Sequence, residues 1–248
     1  MTLRLHSIWY SPWSVAARWA LDHHHIAYRK IEHLPMLSVP RLRWATRRFR
    51  GKVTAPVLLT EQGVLTDSFD IARYSERHGT GQPLFPARRD RDIESWNERS
   101  QALLRTGRQL TTRDIANSPD ALREAMPAFL RKVPGALAAG RSATSYVLRK
   151  YPVAQTASEL VPTMRQYLQA LRDGLGEGAG DHLLDDTFSY ADIIAAVSLQ
   201  GVLPPAYEYM PMGPATRACW TRSDLAEEFA DLMQWRDRMY QRHFVGTT

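Results

Sequence analysis

Residues 8–21 read IWYSPWSVAARWAL, and the change of rhythm inside this stretch decides the fold of the first half of the chain. Up to Tyr10 the residues are apolar and partly β-prone, so Leu3–Tyr10 reads as a short strand. From Ser11 onward SPWSVAARWALDHHH has helical spacing. Proline is favoured in a first helical turn because its missing N–H would have no intrahelical partner, and the serine before it is a natural cap. A strand handing over to a helix start presents unpaired amides and a positive helix end, which suit a thiolate or an oxyanion. The Ser11 hydroxyl is a poor nucleophile without a base, and no His/Asp relay is assigned to it. Donating a hydrogen bond to a bound sulfur anion is the chemistry it suits.

Outward from this junction, Ile26–Ile31 is a second short strand, and the arginine-rich Pro40–Arg50 is a short helix or loop. PVLLTEQGVLT places two apolar runs around Glu61-Gln62-Gly63, a hairpin pattern, and DSFDIARYSERHG follows as a helix closed by glycine. GTGQPLFP, residues 79–86, breaks the pattern. Beyond it the periodic segments are helical, at about 91–113, 119–139, 157–175, 190–203 and 225–242, with GRSAT, GLGEGAG and 204–214 as breaks. The expected architecture is α/β plus all-α: a domain over 1–80, a linker over 81–90 and an all-helical domain over 91–248.

Composition bounds the function. Of 248 residues, 44% are hydrophobic and 23% charged, which excludes wholesale disorder. The single cysteine, Cys219, permits no internal disulfide and reads as buried or incidental. The formal charge is +6, from 32 basic and 26 acidic residues, and 28 of the basic residues are arginine. That surplus suits an anionic ligand or solubility. No paired zinc-ligand cluster or basic tail points to nucleic acid, and the longest uncharged stretch, 193–207, is too short to span a bilayer. A cytoplasmic location is the expectation.

Three motifs carry a resemblance. IWYSPWSVAARWAL resembles the first strand–helix junction of serine-type glutathione transferases, a family with a thioredoxin-like N-terminal domain and a helical C-terminal domain. A serine-type member of bacterial or plant-like kind is implied. The resemblance assigns Ser11 to stabilising the glutathione thiolate, with Ser14 as the alternative. Ala16-Ala17 stand where relatives often have arginine-valine, while Arg18 keeps a later basic position. Thr54-Ala55-Pro56-Val57-Leu58 matches the segment in which Pro56 is cis and Ala55 binds the cysteinyl backbone of glutathione. Asp67-Ser68 resembles the pair that binds the γ-glutamyl end: Ser68 offers a hydroxyl and an amide to a carboxylate, and Asp67 accepts from the ammonium. For the glycyl carboxylate, Lys52 and Arg50 rank first among Arg47, Arg48, Arg50 and Lys52. Glutathione is thus the expected cosubstrate, a hydrophobic electrophile the second substrate, and a homodimer the expected assembly, with detoxification as the role.

In the helical half, Ser189 and Asp192 form a reciprocal capping box, a structural motif that also resembles the family's helical core. His23-His24-His25 point in different directions on a helix end, so solvent exposure explains them and no metal site is assigned. Trp9, Tyr10 and Trp13, with Trp96, Tyr207, Tyr209 and Trp220, are candidates for contact with the electrophile. Residues 141–162 look like an insertion of open role. Four readings compete with conjugation of glutathione: a non-catalytic interaction protein of the same fold; a glutathione-dependent isomerase or dehalogenase; a thiol-transfer enzyme, disfavoured because Ser11 and Ser14 stand where cysteine is needed; and nucleic-acid binding through 44–50, also disfavoured.

Overall fold

The junction at Ser11-Pro12 folds as its spacing predicts, with β1 at Leu3–Ser7 and α1 at Pro12–His23. The computed structural model describes residues 2–35, 37–126, 131, 134–151, 156–176, 181–184 and 187–245. Next come β2 (Tyr28–Glu32), α2 (Val39–Thr46), β3 (Val57–Leu59), β4 (Val64–Leu65) and α3 (Ser68–His78). The sheet order is β2-β1-β3-β4, with β1 parallel to β2 and antiparallel to β3, and β3 antiparallel to β4.

Strand periodicity explains the layers. Successive side chains of β3 point to opposite faces, and all three of its residues are buried. Leu58 joins Leu5 with Ala17 and Leu21 of α1 and Ile71 of α3 on one face. Val57 and Leu59 join Leu42 of α2 and Val53 on the other. The expected α/β half is therefore a mixed sheet covered on both faces, and the elements that follow it are helical.

The chain divides into two compact units, one of Met1–Glu98, Gly180–Val197 and Arg238–Thr248, the other of Arg99–Ala179 and Ser198–Asp237. α4 (Asp90–Asn117), α5 (Pro119–Ala125), α6 (Ala136–Lys150), α7 (Ala157–Gly174), α8 (Tyr190–Ser198), α9 (Pro214–Trp220), α10 (Ser223–Glu228) and α11 (Ala230–His243) make up the helical half. In the second unit, the Tyr167 hydroxyl lies 2.8 Å from that of Ser100 and 3.2 Å from that of Ser198, a buried polar chain. Glu124 accepts the first amides of α9, from Ala215 at 3.2 Å and Thr216 at 2.7 Å.

Three local readings are corrected. The helix expected over 119–139 ends at Ala125, and a new one begins at Ala136. GRSAT lies inside α6 rather than breaking it: Gly140 is buried, and a Cβ there would meet Leu122 at 3.4 Å and Met126 at 3.6 Å. Those are ordinary van der Waals distances, so α6 packs against α5 at this position, and that packing offsets the poor helix propensity of glycine. α9, which follows the 204–214 break, had no expected counterpart. Of GLGEGAG, residues 177–180 lie outside the described residues.

Candidate functional site

Register brings the three motifs to one end of the sheet. His6, near the end of β1, pairs with Val57, the first residue of β3, so Ala55-Pro56 enters the sheet where β1 leaves it for Ser11. Leu65, ending β4, pairs with Leu58, so the chain runs from there through Thr66 into Asp67-Ser68 at that same end. The Ala55–Pro56 bond is cis, as the resemblance implies.

Ser11 takes the N-cap position of α1 with extended backbone, φ −74° and ψ 123°. Its carbonyl accepts from Val15 at 2.8 Å and its amide donates to Ile8 at 3.2 Å. Its side chain makes no capping hydrogen bond, contrary to the cap reading. Both serines are buried, Ser11 at 8% exposure, but Ser14 differs in that its hydroxyl accepts the Ile8 amide at 3.1 Å. The two serines thus divide the work, Ser14 closing the turn that carries Ser11.

Two residues that the motifs did not assign hold this turn. The Trp9 amide donates to the Glu32 carboxylate at 3.1 Å, and the Arg18 guanidinium donates to the Trp9 carbonyl at 2.9 Å. Arg18 is 3% exposed, so it supplies the anchor for which Ala16-Ala17 offer no charge. A lone arginine among apolar helix residues was the available signal. Burial depresses the Arg18 pKa, opposed by Tyr28, Glu32 and Asp22. Burial raises the Glu32 carboxyl, while the Trp9 N–H, Lys30 and Arg18 pull it down. Tyr10, beside Ser11, is pushed up to about 12 by burial and by Glu32, so its phenol stays protonated at neutral pH.

At α3, Asp67 is the N-cap, accepting the Phe69 amide at 2.8 Å while remaining exposed. Ser68 is 1% exposed, and its Oγ has no hydrogen bond of normal geometry, nor has the buried Tyr190 hydroxyl. Burial raises the Tyr190 phenol, and Ser68 partly opposes that rise. The Tyr190 phenol is the group that faces the Ser68 hydroxyl, so at this helix start the hydroxyl keeps capacity for a ligand oxygen. Ala55 is half-buried, Pro56 buried, and Arg50 and Lys52 are exposed on the approach to β3.

The other candidates scatter. His24 is 2% exposed and lies 3.0 Å from the Glu76 carboxylate, which corrects the expectation of a solvated histidine run. His23 contacts the Gln82 carbonyl at 2.8 Å. Cys219 is buried, and burial raises its thiol. Trp96 and Trp220 are buried, whereas Tyr207 is exposed. Trp9, Tyr10 and Trp13 are half-buried around Ser11, with Trp9 and Tyr10 edge to face at 5.2 Å.

Residues 10–78 match the family model of the glutathione S-transferase N-terminal domain. No curated protein matches the sequence. Among solved structures, the β-etherase LigF of Sphingobium sp. strain SYK-6 superposes with a TM-score of 0.63 at 20% identity, covering 98% of this chain and 96% of that one. Glutathione transferase GSTFuA3 of Phanerochaete chrysosporium does so at 0.61 and 14% identity, over 100% and 99%. A glutathione S-transferase of Methylobacterium radiotolerans, solved with glutathione sulfonate, gives 0.58 and 19%, over 98% and 92%. These similarities show the fold across both halves of the chain.

Proposed function

We propose that this chain, which has the fold of glutathione transferases and their N-terminal domain, binds glutathione at the shared end of its sheet and conjugates it to a hydrophobic electrophile. The observation that carries the reading is the pair of hydroxyls at helix starts there: Ser11's is not used for capping, and Ser68's is buried with only the Tyr190 phenol facing it. Both stand at helix starts, where positive dipole ends favour anions.

Glutathione supplies the thiolate that displaces a leaving group, or adds, at an electrophilic carbon to form a thioether. The chain's own residues bind and orient. Ser68 receives the γ-glutamyl carboxylate and Asp67 the ammonium, the oxygen not engaged by Phe69 being suited to it. The Ala55 main chain pairs with the cysteinyl backbone, and Lys52 or Arg50 meets the glycyl carboxylate. Ser11 donates to the sulfur and lowers the cost of its ionisation without accepting a proton. Trp9, Tyr10 and Trp13 provide apolar surface beside it. A homodimer in the cytoplasm is the proposed setting.

A non-catalytic interaction protein of the same fold would not need tight glutathione binding, and calorimetric titration with glutathione separates the two. Saturable binding is expected, weakened by Asp67→Asn and by Ser68→Ala. One charge-assisted hydrogen bond corresponds to about 1.5–3 kcal/mol, less at the exposed Asp67. No saturation at millimolar glutathione by a folded protein would overturn the proposal.

A further inference from the structure

The positive charge of this protein is not spread over it. Residues 33–60 contain Arg41, Arg43, Arg47, Arg48, Arg50 and Lys52 and no aspartate or glutamate, so this segment alone carries +6. The whole chain has a formal charge of +6, so everything outside the segment sums to zero. The same segment holds three of the large hydrophobic side chains exposed among the described residues: Leu37 at 59%, Trp44 at 75% and Phe49 at 68%.

This patch is built rather than loose. α2 buries Leu42 and Thr46 toward the sheet while Pro40, Arg41 and Trp44 face solvent. At its end Arg47 adopts the left-handed region, φ 53°, and the Arg48 amide donates back to the Arg43 carbonyl at 3.1 Å. The Arg43 guanidinium then holds the following loop, donating to the carbonyls of Phe49 at 2.5 Å and Gly51 at 3.0 Å. One arginine is thus used to fix the loop that displays Phe49, and Arg41, Arg47, Arg48 and Arg50 stay at the surface.

We propose that α2, with Leu37 just ahead of it and the loop after it, forms a docking surface for an anionic lipid membrane, on which the protein lies without spanning it. Charge selects the partner: cations with no acidic residue among them match phosphate-bearing, negatively charged headgroups. The apolar members select lipid over nucleic acid. Trp44 and Phe49 suit the headgroup–acyl boundary, and the aliphatic Leu37 has a use there but none in base stacking. Arginine stems reach across apolar surface while their heads stay in the polar layer. Arg50 and Lys52 are shared with the proposed glycyl contact, so the test changes only Arg47, Arg48, Trp44 and Phe49 and needs no turnover.

The full chain is sedimented with vesicles of phosphatidylcholine alone and with about 30% phosphatidylserine. Binding is expected only to the anionic vesicles, released by high salt, and weakened at least about tenfold by Arg47→Glu with Arg48→Glu. Trp44→Ala with Phe49→Ala should weaken it comparably, while Trp44→Phe retains most of it. Melting curves of every variant guard against misfolding, and the exposure of these side chains predicts little change. Absence of binding to anionic vesicles overturns the proposal. So does binding that survives both double variants, or a patch that instead binds oligonucleotides. Equally, light scattering that shows the aromatic variant breaking a dimer, with no vesicle binding by the parent, assigns the patch to a second copy.

Discussion

Ser11 and Ser14 stand three positions apart at the start of one helix, and only their hydrogen bonds distinguish them. Ser14 is committed to the Ile8 amide, so its hydroxyl is structural. Ser11→Ala is therefore expected to raise the pKa of the bound thiol and lower turnover, with glutathione affinity nearly unchanged because the terminal contacts remain. Ser14→Ala should instead cost about 1 kcal/mol of stability, since it leaves a partly buried amide unpaired. Thiol absorbance against pH, together with denaturant titration, checks both. The assignment is reversed if Ser14→Ala abolishes thiolate formation while Ser11→Ala leaves it intact.

At the scale of elements, the start of α8 shows how a legible motif can differ in detail from its reading. Asp192 does reach back, accepting the Ser189 amide at 2.8 Å, but the Ser189 hydroxyl donates to the same carboxylate oxygen. The other oxygen takes the Leu183 amide at 2.8 Å, tying the preceding loop to the helix. Asp192 is wholly buried, and burial raises its pKa against these three bonds and His182. Asp192→Ala would strand two buried amides, so a loss of about 2–4 kcal/mol is expected in denaturant unfolding. A loss below about 1 kcal/mol would mean that water replaces the carboxylate.

For the molecule as a whole, the end of α11 closes back on α1 across most of the sequence. The Trp19 indole donates to the His243 carbonyl at 2.9 Å, and the His243 ring stacks on Phe188 at 3.9 Å. Burial, then His182, His23 and Arg242, lower the His243 pKa to about 4. The unfolded chain takes up this proton near its ordinary value of 6.5, the folded chain only near 4. The contribution is therefore complete above pH 6.5 and is lost as pH falls toward 4. Between pH 7 and 5 the parent should lose about 1 kcal/mol more than His243→Gln, solvent screening included. Equal pH slopes for the two proteins would remove His243 from the account.

Local physics made much of this readable in advance. Period-two and helical spacing, the Ser11-Pro12 start, the turn at Glu61-Gln62-Gly63 and the glycine after His78 delimit β1 through α3, because each signal acts within a few residues. The six cations without an acidic neighbour over 33–60 are likewise a property of sequence alone. Tertiary structure decided what depends on neighbours far along the chain. Gly140 is a helix residue and not a break because Leu122 and Met126 lie against it. Arg18 is an anchor because the turn brings the Trp9 carbonyl to it, and His24 is buried because α3 brings Glu76 beside it. Whether a hydroxyl is committed or available, as at Ser14 and Ser11, follows from packing and hydrogen-bond geometry, which residue type and spacing do not encode.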